Sequence, residues 1–423
     1  MMQNNRMVTE PARRVKITGR YDVVVVGGGV AGVAAAVAAS RCGAKTLLVE
    51  KEYALGGLAT LGLVVAYLPL CDGKGKQVSF ALAEELLLLT THDGSAAVPQ
   101  CWLKNGDQEK RSKQRYSLHF NAASAILLLE EFICDNGIDL LYDTRFSTVI
   151  KSNGRIEAGV FENKSGRIAV ECGSIVDSTG DADVCFAAGE QTISLDTNTA
   201  GGWYYTTGEE GLELFKLYRP FDPEGKVVPE NGGKGYSGSD GRSVTEHMLD
   251  SRVMIREHIA AIRSIRGDET IWPFLIPTFA GFRMTRRLKG GMDFPANDRE
   301  SYADSIGLIG DWRKRGPVYS IPFRALAAVS TLNLVAAGRC ISAGGYGWDQ
   351  SRSIPACAVT GQAAGTAAAI SDAPSLIDTD KLQHNLRNQG CKLYPNEEVT
   401  RYCATIRKMK STGDADNPVD TCN

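Results

Sequence analysis

Residues 21–51 read YDVVVVGGGVAGVAAAVAASRCGAKTLLVEK. An apolar run at 23–26 leads into a glycine-rich turn, an alanine-rich segment follows, and a second apolar run at 46–49 ends in Glu50. This order is typical of a strand, a phosphate-binding turn, a helix and a second strand that carries an acid. It therefore predicts a Rossmann-like α/β unit that binds a dinucleotide.

Three glycines in the turn have separate physical functions. Gly27 lets the chain turn tightly away from the first strand, Gly29 lets backbone approach a pyrophosphate, and Gly32 lets the helix pack closely on the sheet. Val30 and Ala31 open the helix, where unpaired N–H groups and the positive end of the helix dipole favour phosphate. The turn is thus predicted to hold the pyrophosphate.

Glu50 lies about 18 residues after Gly32, where an acid reaches the adenosine ribose in this type of unit. A carboxylate that accepts hydrogen bonds from the ribose is worth roughly 1.5–3 kcal/mol. The same negative charge repels a 2′-phosphate, so an unphosphorylated adenosine is predicted at this position.

Composition narrows the class of protein. The chain has 423 residues, is 43% hydrophobic and has a formal net charge of −2, which indicates two or three domains and offers nucleic acid no basic surface. The first residues contain no apolar signal-peptide core, and no run of about 18 apolar residues occurs. We therefore expect a cytoplasmic protein without a membrane span, and the sequence leaves a homo-oligomer open.

The 11 cysteines are scattered along the chain and include no CxxC pair. This pattern predicts reduced thiols, without a disulfide framework or a metal site. It also argues against dithiol redox chemistry.

Local signals predict further elements. Asn121 is a suitable N-cap for a helix that ends near Asn136-Gly137, and turn residues at 152–155 and 163–166 predict hairpins. The glycine-rich loop at 232–240 follows no apolar strand, so it is not expected to be a second nucleotide turn. The remaining predicted elements are strands at 138–142, 172–177 and 334–337 and helices at 79–89 and 361–370.

Five segments of the chain form a specific combination: the stretch VVVVGGGVAGVAAAVAASRCGAKTLLVEK, the LGGLATLG after it, IVDSTGDADVCFAAG, IPFRALAAVSTLNLVAAGRCIS and SRSIPACAVTGQAAGTAAAI. Together they resemble FAD-dependent oxidoreductases with a glutathione-reductase-like FAD domain, and more narrowly a family of mostly uncharacterised bacterial flavoproteins. The resemblance implies FAD and an α/β fold, in which a Rossmann-like FAD-binding domain of glutathione-reductase type carries an inserted α+β substrate domain. The expected boundaries are 1–188 for the first part of the FAD-binding domain, 189–305 for the insertion, 306–372 for the return segment and 373–423 for a helical tail.

The resemblance also assigns cofactor contacts. It implies that Gly27, Gly29, Gly32 and Glu50 hold the pyrophosphate and the adenosine ribose. The other implied contacts are Lys51 and Phe146 at the adenine, Thr179, Gly180 and Asp181 over the pyrophosphate, Gly338 and Arg339 along the ribityl chain, and Gly57, Ala59, Thr60, Gly361, Gln362 and Ala363 towards the flavin. The last three are expected at the start of a helix whose dipole favours negative charge on the flavin.

One position departs from the family pattern. Relatives often have Asp-x-His ahead of the Ile-Pro-Phe/Tyr-Arg segment, whereas this chain has Asp311-Trp312-Arg313. A histidine role is therefore not transferred to this position.

Arginines supply the first candidate catalytic residues. Arg286 lies in a dense run with Arg283 and Arg287, and the planar fork of arginine suits a substrate carboxylate. A surface strand with salt bridges explains the same run equally well. Arg324 and Arg352 are similar cases.

His119 and Tyr346 complete the candidate catalytic residues. His119 precedes the helix capped by Asn121 and either faces a pocket or is an exposed or capping histidine. Tyr346, like Tyr319 and Trp348, either stacks on a substrate or on the flavin or is packed in the core.

The predicted activity is hydride transfer between a small anionic or polar substrate and non-covalently bound FAD. Because the chain has one nucleotide turn and no CxxC pair, a disulfide-reductase architecture is not expected. Two alternatives stay open: a flavin monooxygenase, and a flavoprotein subunit that passes electrons to a partner. The sequence identifies neither the substrate nor the electron acceptor.

Overall fold

The computed structural model describes residues 7–218 and 234–399. Parts of the glycine-rich loop at 232–240 and of the tail predicted at 373–423 lie outside these ranges. The strands in them are β1 (Lys16–Val26), β2 (Thr46–Val49), β3 (Ala66–Tyr67), β4 (Leu118–His119), β5 (Asp139–Leu141), β6 (Arg145–Ser152), β7 (Arg155–Asn163), β8 (Gly166–Asp177), β9 (Thr192–Ser194), β10 (Gly201–Gly208), β11 (Gly211–Tyr218), β12 (Trp272–Leu275), β13 (Arg286–Leu288), β14 (Ser305–Gly310), β15 (Val318–Pro322) and β16 (Leu334–Ala336). The helices are α1 (Val30–Arg41), α2 (Leu82–Leu89), α3 (Ala122–Asp135), α4 (Asp183–Ala187), α5 (Gly241–Arg266), α6 (Tyr346–Ser351), α7 (Ile354–Ile370) and α8 (Thr379–Asn388).

A seven-stranded sheet forms the centre of the molecule. β5, β2, β1 and β8 lie side by side in parallel, and β16 pairs in parallel with the end of β8. Val23 and Val25 pack into one core cluster together with α1, whereas Val24 and Val26 pack into a second cluster with β7 and β8. The unbroken apolar run of β1 is therefore explained by burial on both faces, as is usual for parallel strands.

A meander of β6, β7 and β8 extends this sheet. β7 pairs antiparallel with both neighbours, at the two turns predicted from the sequence. Asn153 and Gly154 have φ of 47° and 74°, the positive values that a tight two-residue hairpin needs. β8 is long enough to pair with β7 in its first half and with β16 in its last three residues.

Two local predictions for helices have different outcomes. Asn121 caps α3 as expected, because its Oδ1 accepts hydrogen bonds from the N–H groups of Ala123 (2.9 Å) and Ser124 (3.1 Å). The helix predicted at 361–370 is longer than expected and begins at Ile354. Its N-cap is Ser353, whose side chain accepts from the Ala356 N–H.

α7 crosses α1 at very short range. A Cβ on Gly361 would lie 2.2 Å from the Ala31 carbonyl oxygen, and a Cβ on Gly365 would lie 2.0 Å from the Ala35 carbonyl oxygen. The two helix backbones thus approach to a distance that any side chain at these positions would prevent. This contact packs α7, which is late in the sequence, directly on α1, the helix that follows the glycine turn.

The segment predicted to be an insertion contains separate small sheets. β10 pairs antiparallel with β11 and β12, and β9 pairs with β13. α5 packs on β10 through Ile255 and Ile259, which contact the fully buried Tyr204. The molecule is therefore a mixed α/β protein with a parallel, Rossmann-like layer, while the exact domain boundaries and the glutathione-reductase type remain predictions. No described helix combines the length and the apolar character needed to cross a lipid bilayer.

Candidate functional site

The predicted phosphate turn lies where β1 ends and α1 begins. Gly27 has a φ of +102°, and a Cβ there would lie 2.5 Å from the Ser178 carbonyl oxygen. A Cβ on Gly32 would lie 1.8 Å from the Gly27 carbonyl oxygen, so both positions require glycine. A Cβ on Gly29, in contrast, would meet no heavy atom within 4 Å. The backbone at Gly29 is therefore open beside the start of α1, a geometry that suits an anion.

Glu50 follows β2 and lies beside this turn. It is 5% exposed. Its Oε2 accepts a hydrogen bond from the Gly28 N–H (2.5 Å) and its Oε1 accepts one from the Glu52 N–H (2.9 Å). Burial raises the pKa of Glu50, and the two backbone donors oppose that rise. A carboxylate with acceptor capacity left beside the turn is suited to the hydroxyls of a ribose.

The residues predicted at the adenine lie near Glu50. The Thr144 N–H donates to the Glu50 carbonyl oxygen (3.0 Å), which places the start of β6, with Phe146, next to the end of β2. Lys51 Nζ lies 5.1 Å from the centre of the Phe279 ring. The structure thus brings these residues together, while their contact with adenine stays a prediction.

Residues 56–60 form a second wall of the turn. Gly56 pairs with Gly29 in an isolated parallel bridge, and the following 3-10 turn carries Gly57 and Ala59. Thr60 Oγ1 closes the turn by donating to the Leu55 carbonyl oxygen (2.5 Å). An apolar pocket opens beside this wall and is lined by Val30, Ala59, Thr60, Tyr67, Leu86, Leu89, Thr90, Phe120, Ala125, Leu128, Leu129 and Ile354. Residues of α2 and α3 form the largest part of its lining, and the first residues of α1 and α7 also contribute to it.

Two distant segments meet at the predicted pyrophosphate cover. The Thr179 N–H and Oγ1 both donate to Asp177 Oδ1 (3.1 and 2.8 Å), which fixes the turn after β8. Asp181 Oδ1 lies 3.4 Å from a terminal nitrogen of Arg339. A Cβ on Gly180 would lie 2.6 Å from the same guanidinium group. The 179–181 turn and Arg339 are therefore in contact, while their roles at the cofactor stay predictions.

Gly338 ties the return segment to two helices. It has a φ of +68°, and a Cβ there would lie 2.8 Å from the Ala31 Cβ. Its N–H donates to Thr360 Oγ1 (3.0 Å) in α7. The segment after β16 therefore reaches the start of α1, close to Gly29.

The prediction that Gly361, Gln362 and Ala363 begin a helix is wrong. α7 begins directly after Ser353, so these residues lie about two turns inside it. Gln362 Oε1 accepts from the Leu82 N–H (3.1 Å), Gly361 packs on α1, and Ala363 is fully buried. Gln362 and Gly361 thus contact α2 and α1, and the N-terminus of α7 lies at Ser353 instead, while the contact of these residues with the flavin stays a prediction.

The side chains of Arg286 and Arg324 are engaged in ion pairs. Arg286 Nε donates to the Asp181 carbonyl oxygen (2.8 Å), and a terminal nitrogen pairs with Asp183. Burial, followed by the nearby Asp181, raises the pKa of Asp183 to about 6. Arg324 forms a two-pronged pair with Asp304 (3.0 and 3.1 Å) and its side chain is 57% exposed. These contacts favour the salt-bridge interpretation of both arginines over a catalytic one.

His119 lies at the end of the short strand β4 and is exposed. Its Nε2 is 3.1 Å from Lys216 Nζ. Partial burial and the Lys216 charge lower the pKa of His119. This contact requires a neutral imidazole, which can accept a hydrogen bond from the ammonium group of Lys216. The exposed position of His119 fits the interpretation of an exposed histidine better than that of a pocket-facing one.

Tyr346 shares a buried carboxylate with Tyr319. The two hydroxyls donate to the same oxygen, Asp311 Oδ2, at 2.6 and 2.7 Å. Asp311 is fully buried, and its Oδ1 accepts from the N–H groups of Arg313 and Lys314. Burial and this hydrogen bond raise the pKa of Tyr346. Asp311 is the first residue of the segment that differs from the Asp-x-His pattern of relatives. It therefore holds the hydroxyls of two tyrosines and fixes the β14–β15 turn.

A cluster of arginines surrounds Asp349, which the sequence reasoning did not single out. Arg313 binds Asp349 through Nε (2.6 Å) and a terminal nitrogen (3.0 Å), and Arg352 binds the same carboxylate at 2.6 Å. Arg283 lies over the Tyr218 ring at 4.1 Å, and burial first and the charge of Arg352 second lower the pKa of Arg283 to about 10. Asp349 and Arg352 are three residues apart on one helical turn, which is the only local signal that links them.

The matches to individual known proteins are either short or low in sequence identity. A thioredoxin reductase of Ureaplasma parvum serovar 3 (strain ATCC 700970) is 38% identical over 69 residues, which is 16% of this chain and 22% of that protein. The solved Mycobacterium smegmatis Sdh1 complex in the apo form covers 85% of this chain and 69% of its own, at 13% identity and a TM-score of 0.46. A geranylgeranyl bacteriochlorophyll reductase-like protein of Thermoplasma acidophilum covers 89% and 97%, at 13% identity and a TM-score of 0.41. None of these similarities identifies a substrate for this chain.

The match to a protein family is far more extensive. The profile described as FAD dependent oxidoreductase matches residues 22–200 and 202–386. These ranges contain every segment on which the resemblance was based. Because the match covers most of the chain, the protein belongs to the FAD dependent oxidoreductase family and is an enzyme whose cofactor is FAD.

Proposed function

We propose that the enzyme transfers a hydride between a small anionic or polar substrate and non-covalently bound FAD. One observation carries the proposal: four neighbouring parallel strands each end at a residue predicted to hold the cofactor. Gly27 follows β1, Glu50 follows β2, Thr179 lies two residues past β8, and Gly338 lies two residues past β16. Open α/β sheets bind ligands at the carboxyl ends of their strands.

Each group around these strand ends suits one part of FAD. The open backbone at Gly29 and the start of α1 suit the pyrophosphate, and the buried Glu50 suits the adenosine ribose. The contact between Asp181 and Arg339 suits a cover over the middle of the cofactor. The apolar pocket lined in part by Thr60, by Val30 of α1 and by Ile354 of α7 suits the flavin end. When bound, FAD supplies the two-electron acceptor or donor of the reaction.

The proposed reaction can be tested by anaerobic reduction of the purified, FAD-loaded enzyme. We expect one class of small organic reductant to bleach the flavin absorbance with one substrate molecule consumed per flavin. Bleaching only by a protein partner would instead support an electron-transfer subunit. Oxygen consumption that is coupled to a hydroxylated product would support a monooxygenase, and either result would overturn hydride transfer from a small substrate.

Glu50→Ala is expected to weaken FAD binding about 10- to 100-fold, because a charge-assisted hydrogen bond worth roughly 1.5–3 kcal/mol is lost. Glu50→Gln keeps an acceptor without the charge and should give an intermediate affinity. Titration of the apoprotein with FAD, followed by flavin fluorescence, measures both.

Glu171→Ala, on β8 of the same sheet, is the control and should bind FAD like the unaltered protein. Unfolding temperatures of the apoproteins separate a loss of contact from a loss of fold. Unchanged FAD affinity in Glu50→Ala would mean that the ribose lies elsewhere.

A further inference from the structure

One segment of the predicted insertion contacts two segments that are predicted to hold the cofactor. Residues 278–286, here called the 278–286 arm, lead from β12 into β13. The N–H groups of the first two residues of the arm both donate to the Leu61 carbonyl oxygen (3.0 and 3.3 Å), directly after the wall formed by residues 56–60. The other end of the arm reaches Asp181 in the turn after β8. The insertion is thus tied to the cofactor site at two points.

The side chain of Thr285 makes the closest of these contacts. Thr285 is 1% exposed. Its Oγ1 donates to Asp181 Oδ1 at 2.5 Å and lies 3.4 Å from the Gly180 carbonyl oxygen. A Cβ on Gly238 would lie 2.0 Å from Thr285 Cγ2, so the methyl group packs directly against backbone. Because the methyl and the hydroxyl share one χ1 angle, this packing also fixes the direction of the hydroxyl.

The backbone that carries Thr285 is held by a buried amide. Asn198 is 1% exposed, and its Oδ1 accepts from the N–H groups of Arg283 (2.9 Å) and Met284 (3.1 Å). Its Nδ2 donates to the Met284 carbonyl oxygen (2.5 Å). The Thr285 carbonyl oxygen accepts from the Leu195 N–H (2.7 Å). Thr285 therefore reaches Asp181 from a backbone that is fixed on both sides of it.

Asp181 is held at its backbone and at one carboxylate oxygen. Arg286 Nε donates to its carbonyl oxygen (2.8 Å), and a terminal nitrogen of Arg339 lies 3.4 Å from Oδ1. Within the part of the chain that the structure describes, the hydrogen bonds of the carboxylate all go to Oδ1. The side chain is 17% exposed. Oδ2 thus keeps its acceptor capacity, which suits a hydroxyl group of the cofactor.

We propose that Thr285 is a positioning residue for FAD: by holding Oδ1 of Asp181, it directs the second carboxylate oxygen towards the cofactor. A residue of the predicted insertion then helps to set the affinity of the nucleotide-binding layer for FAD. A binding group works best when a neighbour whose own rotamer is locked by packing holds its geometry. The inference rests on the predicted contact of Asp181 with FAD and goes beyond the proposed reaction, since no substrate enters it.

Titration of the apoprotein with FAD, followed by flavin fluorescence, tests this role. Thr285→Val keeps the shape and the packed methyl group and removes only the hydroxyl. We expect the dissociation constant for FAD to rise about five- to tenfold, because Asp181 Oδ1 loses its short hydrogen bond. Thr285→Ser keeps the hydroxyl and should bind FAD nearly as the unaltered protein does.

Thr270→Val is the matched control. Thr270 Oγ1 also donates to an aspartate, Asp268 Oδ1 (2.6 Å), but in an exposed turn before β12. The same chemical change there should leave FAD affinity unaltered. Unfolding temperatures of the apoproteins show whether any variant has lost its fold. If Thr285→Val does not fold, Thr285→Ala removes the hydroxyl without adding bulk and takes its place.

A double-mutant cycle separates positioning from a general structural effect. Asp181→Ala should weaken FAD binding at least as much as Thr285→Val does. The double variant should bind FAD as weakly as Asp181→Ala alone, because the hydroxyl then has no carboxylate to hold. Losses that multiply in the double variant would overturn the inference, and so would unchanged affinity in either single variant. FAD affinity is measured without substrate, so a failure of anaerobic reduction would count against hydride transfer only.

Discussion

Gly29→Ala is expected to weaken FAD binding strongly and to leave the fold of the apoprotein intact. A methyl group at this position meets no protein atom within 4 Å, so it costs the folded chain little. It would stand where the backbone must approach the pyrophosphate. We expect the dissociation constant for FAD to rise roughly 100-fold, about 2.7 kcal/mol, with an unchanged unfolding temperature of the apoprotein.

Gly32→Ala is the informative comparison. Its methyl group would lie 1.8 Å from the Gly27 carbonyl oxygen, so this variant should lose both FAD binding and thermal stability. Fluorescence titration with FAD and thermal unfolding of the apoproteins distinguish the two effects. FAD affinity in Gly29→Ala equal to that of the unaltered protein would show that the turn does not hold the pyrophosphate.

Gly365→Ala is expected to destabilise the protein by about 3 kcal/mol, the upper part of the usual range for overpacking a core. Its new methyl group would lie 2.0 Å from the Ala35 carbonyl oxygen, and a helix backbone cannot yield as a flexible side chain does. Helix propensity points the other way, because alanine is the better helix former by about 1 kcal/mol. The sign of the change in unfolding temperature therefore separates packing from propensity.

Gly241→Ala is the matched control for this prediction. Gly241 is the first residue of α5, it is exposed, and a Cβ there meets nothing within 4 Å. This variant should be as stable as the unaltered protein or slightly more stable. A Gly365→Ala protein that melts at or above the temperature of the unaltered protein would contradict the close helix crossing.

The features that could be predicted from the sequence are those whose signal is local. The glycine turn with its flanking strands, the Asn121 cap and the turn at Asn153-Gly154 each depend on residues within a few positions of one another. The structure confirms all three. The cofactor class followed from their combination with more distant segments.

The start of α7 was missed because the helix is buried on all sides. A helix without a polar face has no periodic pattern to show where it begins. The correct signal, Ser353 as N-cap with Pro355 in the first turn, was present but short. The sequence pattern placed the start of the helix at Gly361, whereas this glycine is required inside the helix for the contact with α1.

The candidate catalytic residues were the hardest to predict, since their partners are distant in the chain. Asp183 is 103 residues from Arg286, and no pattern in either segment announces their pairing. Arg313 and Asp349 are brought together by the fold in the same way. A run of arginines in a sequence therefore indicates capacity for anion binding, and the tertiary structure decides which members use it.

The crossing of α1 and α7 has a consequence for the order in which the protein is made. α1 is synthesised more than 300 residues before α7, yet its small-residue face, with Ala31 and Ala35, is covered by Gly361 and Gly365. Until α7 has been synthesised, this face of α1 therefore lacks the cover that Gly361 and Gly365 give it.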